Sequence, residues 1–340
     1  MVFKNKLEAE TSQQSKSQFT KLGALSKHYL NGITHMANDN KAIGAAHHQP
    51  ITSRLLKKRK QQKSYGHMGC LEVRLAARKK EIKKAQRLRY KVFYKEMSAI
   101  PDMQTKMKRR DIDVYDKVCD HLLVLDHEYN SKSYPFASKS KIVATYRILT
   151  EEMAKLSGGF YSQSEFDIAP LLARHSSTHK FLELGRSCVM KPYRSKRSVE
   201  LLWRGLWAYI QENQANAIIG CASLEGVDPQ AHALALSFLH HHASAPEEWR
   251  VKAHNSRYVN MNLMPKEEID MKAALKALPP LIKGYLRLGA YIGEGAVIDH
   301  QFGTTDVMII LPTENISDRY INHFSAPEEK NTNLSGTYLN

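Results

Sequence analysis

The sequence has only four cysteines, and no two of them form a CxxC pair. This excludes a disulfide-rich secreted scaffold and a cysteine-based zinc module. The sequence also lacks any apolar run close to the roughly 18 residues that cross a bilayer. No hydrophobic signal core is present near the first residues. We therefore expect a cytoplasmic protein with at most a peripheral contact to the inner face of the membrane.

Acidic residues are scarce next to basic ones. Fifty Lys and Arg against 34 Asp and Glu give a formal net charge of +16. Residues 1–66 hold 12 of these bases and three acids, so they supply +9, and the remainder of the chain is +7. Such an excess predicts an anionic partner. Charge alone does not choose among nucleic acid, an acidic protein and an anionic membrane surface.

Composition divides the chain into three parts. Residues 1–66 are rich in Lys, Gln, Ser, Asn and His and weakly periodic, which predicts a disordered basic arm. Residues 67–325 carry regular hydrophobic patterns and are predicted to form the folded domain. Residues 326–340 are predicted to be a polar tail. The chain is long enough to bury one large core.

Hydrophobic periodicity predicts a mixed α/β sheet. Strand-like runs come first and a strand–helix–strand unit follows, which disfavours a doubly wound dehydrogenase sheet. The predicted strands are 71–75, 121–126, 142–149, 181–190, 217–222 and 307–311, and the predicted helices are 79–97, 199–213 and 281–288.

Glu183 and Arg186 lie three residues apart in the predicted strand 181–190. In a regular strand they would point to opposite faces. Gly185 between them predicts a β-bulge, which would also aim a backbone N–H at a reacting carbonyl group. The alternative is an ion pair at the rim of a strand end.

Arg89 and Phe93 are four residues apart in the predicted helix 79–97 and therefore share a face. They are either part of a binding site or an arginine extended across apolar surface beside a core phenylalanine.

Arg147 lies within an apolar predicted strand, where an unpaired charge would cost several kcal/mol. Asp111, Asp113 and Asp116 follow one another in a polar segment. We expect one of these acids to pair with Arg147.

A cationic turn precedes the predicted helix 199–213. A helix N-terminus with adjacent cations and hydroxyl groups favours a phosphate. The alternative is a solvated basic turn. The candidate phosphate ligands are Arg194, Ser195, Lys196, Arg197 and Ser198.

Cofactor motifs are missing. The GxxxxGK[ST] loop is absent, and the glycine-rich segment 289–295 follows a helix, where a dinucleotide fingerprint would follow a strand. The acidic segment 111–116 lacks the Gly and terminal Glu of a calcium loop. We expect no permanently bound cofactor and no metal.

Nine motifs in sequence order carry a family resemblance over residues 70–325. They resemble the GNAT-type ornithine–acyl-carrier-protein N-acyltransferases, which make ornithine lipids, and more distantly the acyl-homoserine-lactone synthases. The motifs are RLRYKVFYKE (87–96), DVYD (113–116), CDHLLV (119–124), VATYRIL (143–149), FYSQSEFD (160–167), FLELGRSCVMKPYR (181–194), GCASLEG (220–226), PPLIKGYLRLGA (279–290) and DHQFGTTDVMIIL (299–311).

The resemblance implies a GNAT-like fold, a mostly antiparallel sheet with a splayed parallel strand pair and flanking helices. It implies catalytic roles for Glu183 and Arg186. It also implies an amino-acid pocket made by Arg89, Phe93, Asp113, Asp116 and Arg147. One departure is the missing tryptophan after Phe93, where residues 97–101 read Met-Ser-Ala-Ile-Pro. This departure favours the lipid-forming branch.

The implied reaction is transfer of a 3-hydroxyacyl or acyl chain from acyl carrier protein to the α-amine of L-ornithine, giving lyso-ornithine lipid. The acyl-phosphopantetheine group of the carrier would be the donor, its phosphate held by residues 194–198. Two alternatives remain open. One is a sibling N-acyltransferase that uses another amino acid or makes an acyl-homoserine lactone. The other is a basic nucleic-acid-binding protein, which we do not expect because aromatic nucleic-acid motifs are lacking.

Overall fold

The computed structural model describes residues 63–97, 99–129, 140–175 and 177–325. Residues 1–62 of the predicted arm and residues 326–340 of the predicted tail lie outside the described residues. The first strand begins at Ser64, so the predicted boundary after residue 66 falls inside that strand. No helix in the described ranges is long and apolar enough to cross a membrane.

The strands alternate with short helices along the chain. The strands are β1 (Ser64–Met68), β2 (Leu71–Leu75), β3 (Asp120–Asp126), β4 (Lys141–Thr150), β5 (Phe166–Asp167), β6 (Phe181–Val189), β7 (Ala217–Glu225), β8 (Lys252–Ala253), β9 (Tyr291–Asp299) and β10 (Thr304–Pro312). The helices are α1 (Lys79–Tyr90), α2 (Met103–Lys108), α3 (Glu151–Leu156), α4 (Ala169–His175), α5 (Lys196–Asn213), α6 (Ala233–His242), α7 (Met271–Ala277), α8 (Pro280–Arg287) and α9 (Asp318–Ser325).

All ten of these strands join one sheet in the order β1-β2-β3-β4-β6-β7-β10-β9-β8-β5. Neighbouring strands are antiparallel except for β6 with β7 and β8 with β9, which are parallel. Strand β6 is followed by α5 and then by β7, the crossover connection that a parallel pair requires. The mixed, mostly antiparallel sheet predicted from the sequence is confirmed.

The parallel strands β6 and β7 pair over only three rows. Phe181, Leu182 and Glu183 lie opposite Ala217, Ile218 and Ile219, and no further pairing follows although both strands continue for six residues. A Cβ at Gly220 would lie 2.3 Å from the carbonyl oxygen of Leu184. The backbones are therefore still close at Leu184 and Gly220, and the absence of pairing from there on gives the splayed strand pair that the resemblance implies.

A β-bulge in β6 lies at the start of the splayed part. Arg147 of β4 is opposite Gly185, whereas Thr145 is opposite Cys188, so β6 has one extra residue between these rows. Arg186 adopts a left-handed conformation with φ of 53°. Such a backbone is rare for a residue with a side chain and is found where surroundings enforce it. The predicted bulge is present, with the left-handed φ at Arg186.

Helices cover both faces of the sheet. Helix α5 packs closely by Gly205, where an added Cβ would lie 2.5 Å from Val73 and 3.3 Å from Leu122. Leu122 pairs with Tyr146, so α5 lies on the face opposite to that of the neighbouring Arg147. Helix α1 contacts β4 on the Arg147 face. The candidate site lies between α1 and the sheet.

The predicted helix 79–97 changes from an α-helix to a π-helix after Tyr90. Its first part is α-helical to Tyr90, and residues Lys91–Glu96 form a π-helical turn. π-helical segments are rare and are often associated with functional sites. Here the wider turn carries Phe93 and Tyr94, which pack against Phe302 from the β9–β10 turn.

Candidate active site

Three arginines and three aspartates form a closed network, called here the arginine–aspartate ring. Each aspartate contacts two arginines, and each arginine contacts two aspartates. The contacts are Arg89–Asp111 at 2.7 Å, Arg89–Asp116 at 2.8 Å, Arg147–Asp116 at 3.5 Å, Arg147–Asp113 at 2.6 Å, Arg186–Asp113 at 3.3 Å and Arg186–Asp111 at 3.3 Å. The ring is formally neutral, which offsets the cost of burying so many charges.

Arg89 is the innermost member of the ring, with 0% exposure. Its Nη2 group also donates to the carbonyl oxygen of Asp111 at 2.7 Å. The alternative of an arginine extended across apolar surface to solvent is therefore wrong. In this conformation Arg89 can influence a substrate only through Asp111 and Asp116.

The predicted partner of Arg147 is Asp113. Nη1 of Arg147 donates to both carboxylate oxygens of Asp113 at 2.6 Å. Burial alone would raise the pKa of Asp113, but the charges of Arg147 and Arg186 outweigh burial and hold this pKa at about 2. Asp113 is therefore ionised throughout the physiological range. Its side chain is 21% exposed, the most accessible of the ring's three acids.

Arg186 occupies the side of the ring that faces the splayed strands. Its guanidinium lies between two aromatic rings, 4.8 Å from the centroid of Tyr161 and 4.8 Å from that of Phe302. Stacking of this kind favours a cation and fixes the plane of the guanidinium. Phe93 packs edge-on against Phe302 at 5.8 Å, so the π-helical turn supports the same stack.

Glu183 lies on the last paired row of β6 and β7, directly before the strands part. It is 4% exposed, and its two oxygens accept hydrogen bonds from the backbone N–H groups of Tyr161 and Ser162, both at 2.7 Å. Burial raises the pKa of Glu183, against the lowering effects of these donors and of Arg147. A buried carboxylate with a raised pKa is a stronger base than a solvated one.

A crevice opens where β6 and β7 separate. It is lined by Leu184, Gly220, Cys221, Tyr285 and Ile309, and in this conformation it has room for about one water molecule. Most of the lining side chains are apolar.

Residues 194–198 lie at the start of α5, the helix that leads from the open C-terminal end of β6 to the paired N-terminal end of β7. Ser195 is the N-cap, and its hydroxyl accepts from the N–H of Ser198 at 3.4 Å. Ser198 is buried, whereas Lys196 and Arg197 are exposed. Arg194 pairs with Glu96 at 2.5 Å. Helix α5 begins three residues earlier than predicted because Ser195 caps it.

Residues of three separate segments form a second charged group that the sequence did not reveal, called here the carboxylate cluster. Its members are Glu165 before β5, Asp299 at the end of β9 and Asp306 in β10, and one oxygen from each lies within 4.8 Å of the others. All three lie in motifs that carry the family resemblance. Asp299 and Asp306 meet through the β9–β10 hairpin, whereas Glu165 comes from a distant segment that the sheet order brings beside β9.

Comparisons with known proteins identify the family. Residues 88–204 match the family model described as an acetyltransferase (GNAT) domain, and the fold and the comparison together define an N-acyltransferase. The L-ornithine N(alpha)-acyltransferase of Agrobacterium fabrum is 52% identical over 266 residues, which cover 78% of this chain and 89% of that protein. The enzyme of the same name from Rhizobium meliloti is 51% identical over 261 residues, covering 77% and 86%. The chain belongs to the L-ornithine N(alpha)-acyltransferase family.

One solved structure with a related fold is that of an N-acyl amino acid synthase from uncultured soil microbes. It has 10% sequence identity and a TM-score of 0.41, and the match covers 72% of this chain and 91% of that one. The family, the GNAT fold and the acyltransferase class expected from the motifs are confirmed. The roles assigned to individual site residues stay predictions.

Proposed function

We propose that the protein transfers an acyl or 3-hydroxyacyl chain from acyl carrier protein to the α-amine of L-ornithine, giving lyso-ornithine lipid. The observation that carries this proposal is the position of Glu183, a buried carboxylate at the point where β6 and β7 separate. The amino acid follows from the names of the relatives.

In this proposal the phosphopantetheine arm of the carrier enters between the splayed strands. Its thioester would reach the crevice at Gly220, and its phosphate would lie against Arg194, Lys196 and Arg197 at the N-terminus of α5. The hydroxyl of Ser195 adds a donor at the same place. Ser198 is buried and contributes its backbone N–H to the cap, not to the ligand.

Arg186 and Asp113 would contact the amino acid, because they are the ring members with the most accessible side chains. A guanidinium held between Tyr161 and Phe302 is oriented to bind a carboxylate. Phe93 would close this pocket behind Phe302. Arg89, Arg147 and Asp116 are positioning residues, since they are buried within the ring.

The α-amine must lose a proton before it attacks the thioester carbon. Glu183 would accept this proton, directly or through a water molecule, and base catalysis of this kind contributes about 10²–10⁴-fold. The amine nitrogen forms the new amide bond as the carbon–sulfur bond breaks, and the carrier leaves as a thiol. Backbone N–H groups at the bulge would stabilise the oxyanion of the tetrahedral intermediate.

Cys188 has no nucleophilic role in this scheme. Burial raises the pKa of its thiol to about 12, so almost no thiolate is present at neutral pH.

The test is acyl transfer by wild type and by Glu183→Gln, followed by mass spectrometry of the acylated product. We expect the Gln variant to lose about 10²–10⁴-fold in kcat and to keep its fold, because the amide oxygen still accepts from Tyr161 or Ser162. An unchanged kcat would remove Glu183 from the mechanism. Offering lysine, glutamine and glycine beside ornithine separates the sibling acyltransferases.

Docking of the carrier is tested separately by charge reversal at Arg197, which is exposed and has no ion pair among the described residues. Arg197→Glu should raise the apparent KM for acyl carrier protein. The same substitution should leave the KM for a short acyl-pantetheine thioester without phosphate unchanged. An unaltered KM for the carrier would reject the placement of its phosphate at α5.

The exposed lysines and arginines are also consistent with a peripheral location at an anionic membrane surface, into which the lipid product would pass. Binding of the full chain to vesicles with and without anionic lipid tests this part of the proposal.

A further inference from the structure

The carboxylate cluster has a shortage of positive charge that distinguishes it from the arginine–aspartate ring. Three carboxylates converge, yet only Arg257 approaches them, at 3.6 Å from Glu165, among the described residues. The guanidinium of Arg257 also donates hydrogen bonds to the backbone carbonyl oxygens of Ser164 and Ile298. The cluster therefore carries an excess of negative charge when its members are ionised.

Asp306 is the buried member of this cluster with unused bonding capacity. It is 6% exposed, and its Oδ1 has no hydrogen-bond partner among the described residues. Burial, together with the charge of Glu165, raises the pKa of Asp306 to about 7, although Ser223 and Thr304 lie near enough to lower it. A buried carboxylate oxygen without a donor is costly, and an N–H donor from a ligand would satisfy it.

The cluster borders the proposed acyl-transfer site. Glu165 Oε2 accepts from the thiol of Cys221 at 3.3 Å, and Cys221 directly follows Gly220, where β6 and β7 part. Besides burial, the charge of Glu183 raises the pKa of Cys221. The charge of Arg186 opposes the rise that burial causes in the pKa of Glu165. A ligand held by Arg186 could thus reach the cluster with its other end.

We propose that Glu165, Asp299 and Asp306 bind the side-chain ammonium group of a diamino acid and so determine the amino-acid specificity of the enzyme. This inference rests on the proposed function. Ornithine has a carboxylate for Arg186 at one end and a terminal ammonium at the other. An ammonium has three N–H donors, one for each carboxylate of the cluster.

A divalent metal fits the cluster less well than an ammonium. Calcium takes six to eight oxygen ligands, whereas one oxygen from each of three carboxylates converges among the described residues.

The experiment compares ornithine with norvaline, which has the same carbon chain without the side-chain amine. Wild type should favour ornithine in kcat/KM by at least about 100-fold, because a site built for a polar group rejects an analogue that lacks it. Asp306→Asn and Glu165→Gln should lower this ornithine-to-norvaline ratio by at least about tenfold. The matched control is Glu225→Gln, which removes one exposed carboxylate on the same strand as Cys221 and should keep the wild-type ratio.

Thermal stability gives a readout that does not depend on turnover. Ornithine should raise the Tm of the wild type more than norvaline does, and Asp306→Asn should abolish this difference. The variant without ligand should be at least as stable as the wild type, since it relieves repulsion between buried carboxylates.

The outcomes separate the two proposals. If wild type acylates neither ornithine nor norvaline, the proposed function fails. The difference between the Tm shifts caused by the two amino acids then tests by itself whether the carboxylate cluster binds the side-chain ammonium. If both substrates lose activity equally in Asp306→Asn, or the ratio is unchanged, the inference is overturned. A stoichiometric metal in the purified protein, with activity lost on chelation, would also overturn it.

Discussion

Arg147 shows what one residue of the arginine–aspartate ring contributes. It is buried and contacts Asp113 and Asp116, and each of these acids keeps one other arginine if Arg147 is lost. We expect Arg147→Gln to destabilise the protein by about 3–5 kcal/mol, because it leaves an uncompensated buried charge. Chemical denaturation measures the loss.

The control for Arg147 is Arg250→Gln. Arg250 is half exposed and pairs with Glu247 and Glu294 at the surface. Surface pairs of this kind contribute about 0–1 kcal/mol. Equal losses in the two variants would contradict the view that the ring is a buried, closed network.

His121 predicts a pH dependence of stability. Its burial, with the charge of Arg89, lowers its pKa from 6.5 to about 4, so the folded protein holds a neutral imidazole. Below pH 6.5 the unfolded chain takes up a proton that the folded chain does not. Stability should therefore fall between pH 6.5 and 4, by on the order of 3 kcal/mol.

The comparison for His121 is the His121→Gln variant, which cannot titrate but can still bond the carbonyl oxygen of Asp116. The stability difference between wild type and variant, measured by denaturation at several pH values, should change across this window. Parallel curves from pH 7 to 4 would show that His121 titrates normally in the folded state.

Sequence reasoning succeeded for residues whose environment is set by near neighbours. An arginine inside an apolar strand must find an acid, and segment 111–116 was the evident source for Arg147. Sequence reasoning did not identify the second ion-pair partner of each member of the arginine–aspartate ring. Nor did it find Phe302 or Asp306, since their contacts join segments far apart in the chain and leave no local pattern.

At the scale of elements, the absence of a side chain at Gly220 allows β7 to approach Leu184 of β6 closely. We expect Gly220→Ala to lower stability by about 1–3 kcal/mol, because its Cβ would overlap the carbonyl group of Leu184 and force the strands to shift. Acyl transfer should fall as well, since Glu183 lies on the adjacent row. Denaturation and single-turnover assays measure the two effects.

Gly284→Ala is the matched control for Gly220. Gly284 lies within α8, and a Cβ there has no neighbouring atom within 4 Å. Alanine in a helix is favoured over glycine by about 0.5–1 kcal/mol, so this variant should be slightly more stable. If both variants are stabilised, the close approach at Gly220 does not exist in solution.

Most long elements were predictable and short ones were not, but the nine-residue strand β9 was missed because its glycines hid the strand pattern. The strands at 71–75, 121–126, 142–149 and 181–190 and the helix starting at Pro280 were correctly located by periodicity and proline position. Strands β5 and β8 have two residues each, too few to show any period. The π-helical turn after Tyr90 also has no sequence period of its own.

At the scale of the whole molecule, net charge predicts how the enzyme meets its proposed donor. Residues 67–340 carry +7, and acyl carrier proteins are acidic. Raising the salt concentration from low to near-molar should increase the apparent KM for acyl carrier protein by roughly tenfold. The KM for an uncharged acyl-pantetheine thioester should stay constant. A salt-independent KM for the carrier would exclude electrostatic steering.

Sheet order is the part of the fold that composition could not supply. The family resemblance implied a parallel strand pair, but nothing in the sequence indicated that β9 lies beyond β10 or that β8 and β5 complete that end of the sheet. That order places Glu165, Asp299 and Asp306 together. Knowledge of the fold was therefore needed to locate this part of the site.

The closed form of the arginine–aspartate ring has an evolutionary consequence. Its six members come from α1, segment 111–116, β4 and β6, and each balances two others. A lineage that replaces one member must pass through an intermediate with an orphaned charge, so mutational drift at these positions should be slow. Where change does occur, oppositely charged members should disappear together, and an engineer who wishes to vary the pocket should replace them as pairs.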